Sequence, residues 1–455
     1  MRLLHTSDWH LGRTLYGVDL LPHQAAFLDW LLDQAIRHEV HAVVVAGDVY
    51  DRAVPPIDAV AVLDRALRGF AAAGIPVLLT SGNHDSAVRL GFGSRLSELA
   101  GIHLRTAVAD IARPVLLTDE HGDIAVYGIP YLLPDAVLGE LVADRSHASV
   151  LAAATALIKA DAKQRGITRT VVAAHAFITG AAACDSERDI RVGGIGDAPA
   201  SVFAGLTYVA LGHLHGQQDV GARAGGTVVR YCGSPLAFSF SERHHAKSVT
   251  LAEIDGAGRV TVTRLQAPVP RPLREVRGTL DDLLTSAAPA RGDGQQKPGR
   301  AAGRPDELAD AWLRVVLTDP ARPASPMERL RERWPHTLVL DFDPEGEFVS
   351  VAADLGRVAK AADPVEICEL FVEFASGGAA ASEQLAVLRD VIEAVQNGEA
   401  EEGAHGNSRS SRARGIAADL DDAGSVDEWL ANAGRGQWLD DEVAFPARGG
   451  NPAAA

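Results

Sequence analysis

Leu4-His-Thr-Ser-Asp-Trp-His-Leu-Gly-Arg13 carries a short run, Arg2 to Ser7, into the acid–imidazole pair Asp8-x-His10. The run reads as a buried strand, and alternating spacing lets Asp8 and His10 point to the same side of an extended backbone. From there outward, Leu20 to His38 carries Phe27, Leu28, Leu31, Leu32 and Ile36 at helical spacing. The Val-rich run Ala42 to Ala46 predicts a second strand, and it ends in Gly47-Asp48-x-x-Asp51. A helix follows from about Ile57 to Ala73, then a strand from Pro76 to Thr80 that ends in Gly82-Asn83-His84-Asp85. This β-α-β-α-β order predicts an α/β domain in which polar clusters sit at the carboxyl ends of strands.

The pattern continues downstream. Strands are expected at Ile124 to Gly128, Thr170 to Ala174, Tyr208 to Leu211 and Val228 to Tyr231, with a helix from Ser149 to Arg165. Two more polar groups follow strands: Ala174-His175 and Gly212-His213-x-His215. A single histidine after a strand is ordinarily a hydrogen-bonded structural residue, and Gly-Asp is an ordinary turn. Five such groups in order, each where open α/β sheets place their sites, point to one shared centre. Two divalent ions about 3.5–4 Å apart need a shared carboxylate with imidazole, carboxylate and amide ligands around them. Asp48 is the expected bridge. One ion would take Asp8, His10, Asp48 and His215; the other would take Asp48, Asn83, His175 and His213. Nitrogen and oxygen ligation without thiolate suits manganese, and zinc or iron would accept the same set. His84 is not needed as a ligand and is assigned to protonating the leaving oxygen or stabilising the transition state. Asp51 is read as holding His84 in the required tautomer, or as a turn cap. The glycines before Asp48, Asn83 and His213 permit the sharp turns that such convergence needs.

At 455 residues, 47% of them hydrophobic, the chain can bury the core of a large domain and of at least one smaller one. Cys184, Cys232 and Cys368 are widely spaced, which argues against a disulfide framework or structural zinc and fits a reducing cytoplasm. The N-terminus lacks the apolar core of a signal peptide, and no stretch is long and apolar enough to span a bilayer. A net charge of −17 repels a polyanion at long range. Bound divalent ions, or a partner supplying basic surface, would overcome that repulsion. The expected organisation is a metal-dependent domain over 1–267, ended by the Pro-rich link Ala267-Pro-Val-Pro-Arg-Pro272. A small α/β domain over 268–360 is split by a flexible insertion, 286–305, with a strand at Trp312 to Thr318, a helix at Pro326 to Arg333 and a strand at Thr337 to Phe342. A helix-loop-helix over 361–395 opens at Asp363-Pro364 and again at Ser382. The acidic remainder, 396–455, is too poor in large apolar residues to fold alone.

The ordered series resembles the calcineurin-like metallophosphoesterase superfamily, which implies a two-sheet sandwich flanked by helices. Gly47-Asp-x-x-Asp-Arg52 is shared with the Ser/Thr protein phosphatases, but those place an arginine before Gly-Asn-His, where Ser81 stands here. The wider strings Leu4 to Arg13, Gly82 to Ser86 and Tyr231-Cys-Gly-Ser-Pro-Leu-Ala-Phe-Ser-Phe-Ser-Glu242 closely resemble the bacterial SbcD family of exonuclease subunits, relatives of the meiotic-recombination nucleases, and the match runs to about residue 395. That resemblance implies cleavage of DNA ends and hairpins by a homodimeric nuclease core within a heterotetramer, at the nucleoid. It also implies an SbcC-type coiled-coil ATPase partner, a capping domain after Pro268 that touches DNA, and docking of the helix-loop-helix on the coiled coil. Leu370, Phe371, Phe374, Leu385 and Leu388 would then be interface residues, or else pack on their own domain. Arg13, Arg52 and Arg89, beside the motifs, are candidates for holding DNA phosphates. Trp429-Leu430 and Trp438-Leu439 form a candidate docking motif in the acidic tail. The same metal centre would also serve a small-molecule phosphodiesterase or phosphatase. The extra domain and the helix-loop-helix favour the nuclease, since a small substrate needs neither.

Overall fold

Each apolar run that ends in a polar motif forms a strand of one of two facing sheets. The computed structural model describes residues 1–137, 139–141, 144–187, 198–220, 226–285, 308–344, 363–376 and 381–392. The first half holds β1 (Arg2–Thr6), a short hairpin of β2 (Thr14–Leu15) and β3 (Val18–Asp19), β4 (Ala42–Ala46), β5 (Val77–Thr80) and β6 (Ile102–Arg105). Then come β7 (Val115–Asp119), β8 (Gly122–Ile129), β9 (Arg169–His175), β10 (Tyr208–Gly212), β11 (Gln218–Asp219) and β12 (Val228–Tyr231), and the domain closes with β13 (Ser248–Ile254) and β14 (Val260–Gln266). Two six-stranded sheets result, in the orders β14-β13-β1-β4-β5-β6 and β11-β12-β10-β9-β8-β7.

The inner faces meet in one buried layer: Leu3, Val44 and Leu78 from one sheet pack against Val126, Val171 and Ala210 from the other. Helices Leu21–Arg37 and Ile57–Ala72 cover the outer face of the first sheet, and helix His147–Arg165 covers that of the second. Central strands are therefore buried on both sides, which is why they read as continuous apolar runs. β1, β4, β5 and β6 run parallel, as do β8, β9, β10 and β12. Their carboxyl ends share one edge of the sandwich, where open α/β folds build sites.

A second sheet-and-helix module follows the Pro-rich link. β15 (Leu273–Gly278), β16 (Trp312–Leu317) and β17 (Thr337–Phe342) form a parallel sheet backed by helices Leu280–Thr285 and Pro326–Arg333, around Val276, Leu283, Val315, Leu330 and Trp334. Leu273 and Trp312 of this module also pack with Leu15, Leu236 and Phe240 of the large domain. The insertion expected at 286–305 and the tail expected at 396–455 lie outside the described residues. Helix Pro364–Ser376 belongs to a separate unit and is capped by Asp363, whose Oδ1 accepts from Glu366 N at 2.9 Å. A second helix spans 382–392. Among the described residues no helix is long and apolar enough to cross a membrane, and the three cysteines are free.

One buried histidine makes stability depend on pH. His5, fully buried in β1, stands 3.1 Å from the Leu211 carbonyl through Nε2 and 2.9 Å from the Tyr208 hydroxyl through Nδ1. The carbonyl only accepts, so Nε2 carries the hydrogen and Nδ1 accepts from the phenol. Burial holds the imidazole neutral, with a pKa lowered to about 3. The unfolded chain protonates His5 near pH 6.5, so its contribution to stability is complete above that pH and is lost as pH falls toward 3. Between pH 6.5 and 5 the wild type is expected to lose about 2 kcal/mol more than His5→Gln, at about 1.4 kcal/mol per pH unit. Urea titrations of both proteins at the two pH values test this, and equal losses would refute it.

Candidate metal centre

Seven expected ligands and His84 reach one place from five strand ends. Asp8 and His10 follow β1, Asp48 follows β4, Asn83 and His84 follow β5, His175 ends β9, and His213 and His215 follow β10. Asp48 Oδ2 sits among the imidazoles, 3.4 Å from His175 Nε2, 3.6 Å from His10 Nε2 and 4.0 Å from His84 Nε2. Asn83 Oδ1 lies 2.9 Å from His175 Nε2 and 3.2 Å from His213 Nδ1. On the other side His10 Nε2 faces His215 Nε2 at 3.2 Å. The donor atoms fall into overlapping sets, Asp8/His10/His215, His10/Asp48/His84 and Asp48/His175/His213, all buried. Two ring nitrogens this close, walled from water and flanked by carboxylates, fit a cation better than they fit each other. The donor set of imidazole, carboxylate and amide has the composition that two hard-to-borderline divalent ions require.

Protonation follows from packing. Burial pushes the His10 pKa well below its usual value and that of His213 to about 3, leaving neutral rings with lone pairs to donate. Burial acts the same way on His175, but Asp48 and Asp8 overcome it and raise that group to about 9. The Asp8 carboxyl is raised by burial to about 6.

The acids also tie the strand ends together. Asp8 Oδ1 accepts from His213 N at 2.9 Å, joining the two sheets, and Asp48 Oδ1 accepts from His84 N at 2.9 Å. Asp85 accepts from the backbone N–H groups of Val49 at 3.1 Å, Tyr50 at 2.9 Å and Gly82 at 2.9 Å. Four of the expected ligands adopt left-handed or related backbone: Asp8 at φ 53°, His10 at φ 45°, Asp48 at φ 47° and His213 at φ 107°. Such conformations disfavour side chains other than glycine and concentrate at functional sites. The glycines matter by close approach. A Cβ on Gly82 would lie 2.7 Å from Asp48 Cγ, and one on Gly212 would lie 2.9 Å from both the Ala46 carbonyl carbon and Ser7 Cβ.

His84 is held by Asp51 through the main chain: the Asp51 carbonyl lies 2.7 Å from His84 Nδ1. That carbonyl can only accept, so Nδ1 carries hydrogen and Nε2 faces the centre. The Asp51 carboxylate turns elsewhere, 3.6 Å from His10 Nδ1 and 3.7 Å from Arg13 Nη1. Arg13 is itself occupied, donating to the Ser186 carbonyl at 2.8 Å and lying over the Phe238 ring. Arg89 donates to the Ala53 carbonyl at 3.2 Å, and Arg52 is exposed.

Several residues that support the centre belong to none of the five motifs. Gln24 is buried in the first turn of helix Leu21–Arg37 and donates to the carbonyls of Trp9 at 3.0 Å and His10 at 2.7 Å, fixing the loop after β1. Its one signal in the sequence is a polar residue on the apolar face of a helix. Glu242 and Lys247 form a buried ion pair beside His215. Burial alone would raise the Glu242 carboxyl, but Lys247 and the hydrogen bonds around it hold it well below its usual value. Glu242 closes the string Tyr231 to Glu242, but nothing local marks its pairing with Lys247 or its reach to His215, 27 residues away.

The chain resembles known proteins over most of its length. Residues 1–217 match the Calcineurin-like phosphoesterase family, and residues 269–374 match the family described as Type 5 capsule protein repressor C-terminal domain. The SbcD subunit of the nuclease SbcCD from Escherichia coli K12 is 34% identical over 330 residues, covering 70% of this chain and 78% of that one. Its namesake in Bacillus subtilis strain 168 is 36% identical over 271 residues, covering 56% of this chain and 66% of that one.

Proposed function

Because this chain belongs to the SbcD family of SbcCD nuclease subunits, within the calcineurin-like phosphoesterases, we propose that it hydrolyses DNA phosphodiesters at ends and hairpins as the nuclease subunit of a complex with an SbcC-type ATPase. The observation that carries the chemistry is the convergence of Asp48 Oδ2 with the rings of His10, His84 and His175 at buried strand ends. Asp8, His10, Asp48 and His215 would hold one divalent ion, and Asp48, Asn83, His175 and His213 a second, with manganese the metal proposed. Two such ions supply Lewis acidity and an activated water for in-line attack on phosphorus. The chain's own part is to place the reacting groups. His84, its Nδ1–H held by the Asp51 carbonyl so that Nε2 points inward, would act as the imidazolium: the Nε2 proton passes to the departing sugar oxygen, leaves the neutral Nδ1–H ring, and is replaced from solvent. The matched second module distinguishes this reading from a small-molecule phosphodiesterase, which needs no cap. A cytoplasmic setting at the nucleoid follows from the substrate.

The test is cleavage of a labelled DNA hairpin and of bis-p-nitrophenyl phosphate with manganese, with and without the ATPase partner. The proposal requires hairpin cleavage that depends on His84 and becomes ATP-dependent with the partner. Hydrolysis of the small diester alone, whatever partner is added, would replace it with the small-molecule reading.

We propose further that the nuclease core is a homodimer within a heterotetramer. Val88, Phe92, Leu96 and Leu99 follow one another at three- and four-residue spacing and are 85%, 88%, 74% and 87% exposed. A row of exposed large apolar side chains this dense is a protein–protein interface signature. Phe92→Asp combined with Leu99→Asp is expected to convert a dimer into a monomer by sedimentation velocity without changing hydrolysis of bis-p-nitrophenyl phosphate; a dimer that persists would exclude this face. Phe371, on helix Pro364–Ser376, is 67% exposed and is offered to the ATPase coiled coil; Leu370 on the same helix, and Leu385 and Leu388 on the helix 382–392, are half-buried. The Phe374 side chain is outside the described residues.

A further inference from the structure

Behind His215, on the side away from the other ligands, lies a hydrogen-bonded chain that the proposed reaction does not use. Ser186 Oγ stands 2.5 Å from Glu242 Oε1 and 2.8 Å from His215 Nδ1. A carboxylate only accepts, so the single hydroxyl hydrogen of Ser186 goes to Glu242. The same oxygen must then accept, and the hydrogen between it and the ring belongs to His215 Nδ1. His215 Nε2 is left bare, and it is the atom that faces His10 Nε2 at 3.2 Å. Glu242 is fixed in turn: it pairs with Lys247, accepts from Phe238 N at 2.9 Å, and its side chain is wholly buried. Lys247 Nζ also donates to Ser234 Oγ at 2.9 Å and to the His215 carbonyl at 3.0 Å, so one ion pair anchors both the ring and the main chain of His215. Glu187 Oε1 accepts from His215 N at 2.5 Å and closes the frame.

We infer that Ser186, held by the buried Glu242–Lys247 pair, is a positioning residue that sets the tautomer and ring angle of His215, presenting Nε2 as a lone-pair donor to a divalent ion. A buried ion pair is a weak source of stability compared with apolar residues of the same volume, so its place here is explained by the orientation it imposes. Outer partners of this kind, which donate to or accept from the far nitrogen of a ligand histidine, fix the ring and raise metal affinity. The inference rests on His215 being a ligand, as proposed above, and the experiment separates the two.

Manganese affinity is measured by the loss of the free-ion paramagnetic resonance signal on titration, for wild type, Ser186→Ala, Ser186→Thr and His215→Ala. Urea unfolding of the chelator-treated proteins runs beside it. Ser186→Ala removes the relay hydroxyl and leaves the ion pair in place. It is expected to weaken binding at one of the two sites by about 10–100-fold. The unfolding midpoint of the metal-free protein should fall modestly, since the Glu242 and His215 hydrogen bonds are lost, and Ser186→Thr, which keeps a hydroxyl, should restore affinity. A merely structural role would move the midpoint and not the affinity. The inference fails if Ser186→Ala binds manganese as the wild type does while His215→Ala loses a site. If His215→Ala also binds normally, the ligand assignment falls and the relay falls with it.

Discussion

His84→Ala is expected to lower kcat on DNA by about 10²–10⁴-fold, the range for losing a positioned general acid. Manganese affinity should be nearly intact, because His84 is assigned no coordination bond. The two substrates should separate the role. A DNA sugar oxygen is a poor leaving group and needs the proton, whereas p-nitrophenolate departs without one. Single-turnover rates on a DNA end should therefore fall far more than those on bis-p-nitrophenyl phosphate. Equal losses would assign His84 to charge stabilisation in the transition state. The main-chain tether sharpens the test: the Asp51 carbonyl fixes Nδ1, so Asp51→Asn should leave the His84 tautomer and most of the DNA rate in place. A loss as large as that of His84→Ala would show that the Asp51 carboxylate acts through His10 or Arg13, which it faces.

The second large effect is expected at Gly212, where β10 of one sheet meets β4 of the other. A methyl group there would be driven into the Ala46 carbonyl and lie 2.9 Å from Ser7 Cβ, and backbone cannot give way as the tip of a side chain can. Overpacking of a well-filled core costs roughly 1–3 kcal/mol and occasionally more. Gly212→Ala should reach the upper end, about 3 kcal/mol, which for a domain of this size is a fall in Tm on the order of 10 °C. The damage should also be directional. Spreading the sheets moves His213 and His215 away from Asp8 and Asp48, so metal affinity should fall even at temperatures where the variant is folded. A variant that melts and binds manganese like the wild type would mean that the sheets can separate there without strain.

Most of the sandwich is legible in the sequence because its central strands are covered on both faces. Ala42–Ala46 and Tyr208–Gly212 read directly as apolar runs. β13 and β14 do not announce themselves in this way, although together they complete the first sheet. In β14, Thr261, Val262, Thr263 and Arg264 are all exposed, so no face of the strand imprints a period of two on the sequence. β15 is hidden for a related reason: Arg274, Glu275 and Arg277 interrupt it because only Leu273 and Val276 are buried. At the centre, every expected ligand is brought to one cluster, since each motif follows a parallel strand whose direction the topology fixes. The supporting residues are harder to see. Ser186, His215 and Glu242 meet across 29 and 27 residues of chain, and nothing local in the sequence marks such a meeting. Asp51 shows a different limit, because sequence identifies a residue but not whether its carboxylate or its carbonyl makes the contact.

The left-handed backbone at Asp8, His10, Asp48 and His213 sets a trap for anyone who would make this protein sturdier. Glycine relieves a side chain of roughly 1–2 kcal/mol in that conformation, more for histidine than for aspartate, which tolerates it better. A stability screen blind to activity would therefore be drawn toward the proposed ligands, and each gain in ruggedness there would erase one of them. The same bias acts on copies of the gene released from selection for catalysis. At Asp8 and Asp48 the lost acceptors of His213 N and His84 N offset the relief, so the bias falls on His10 and His213, where inactive descendants should keep the sandwich and carry glycine or asparagine.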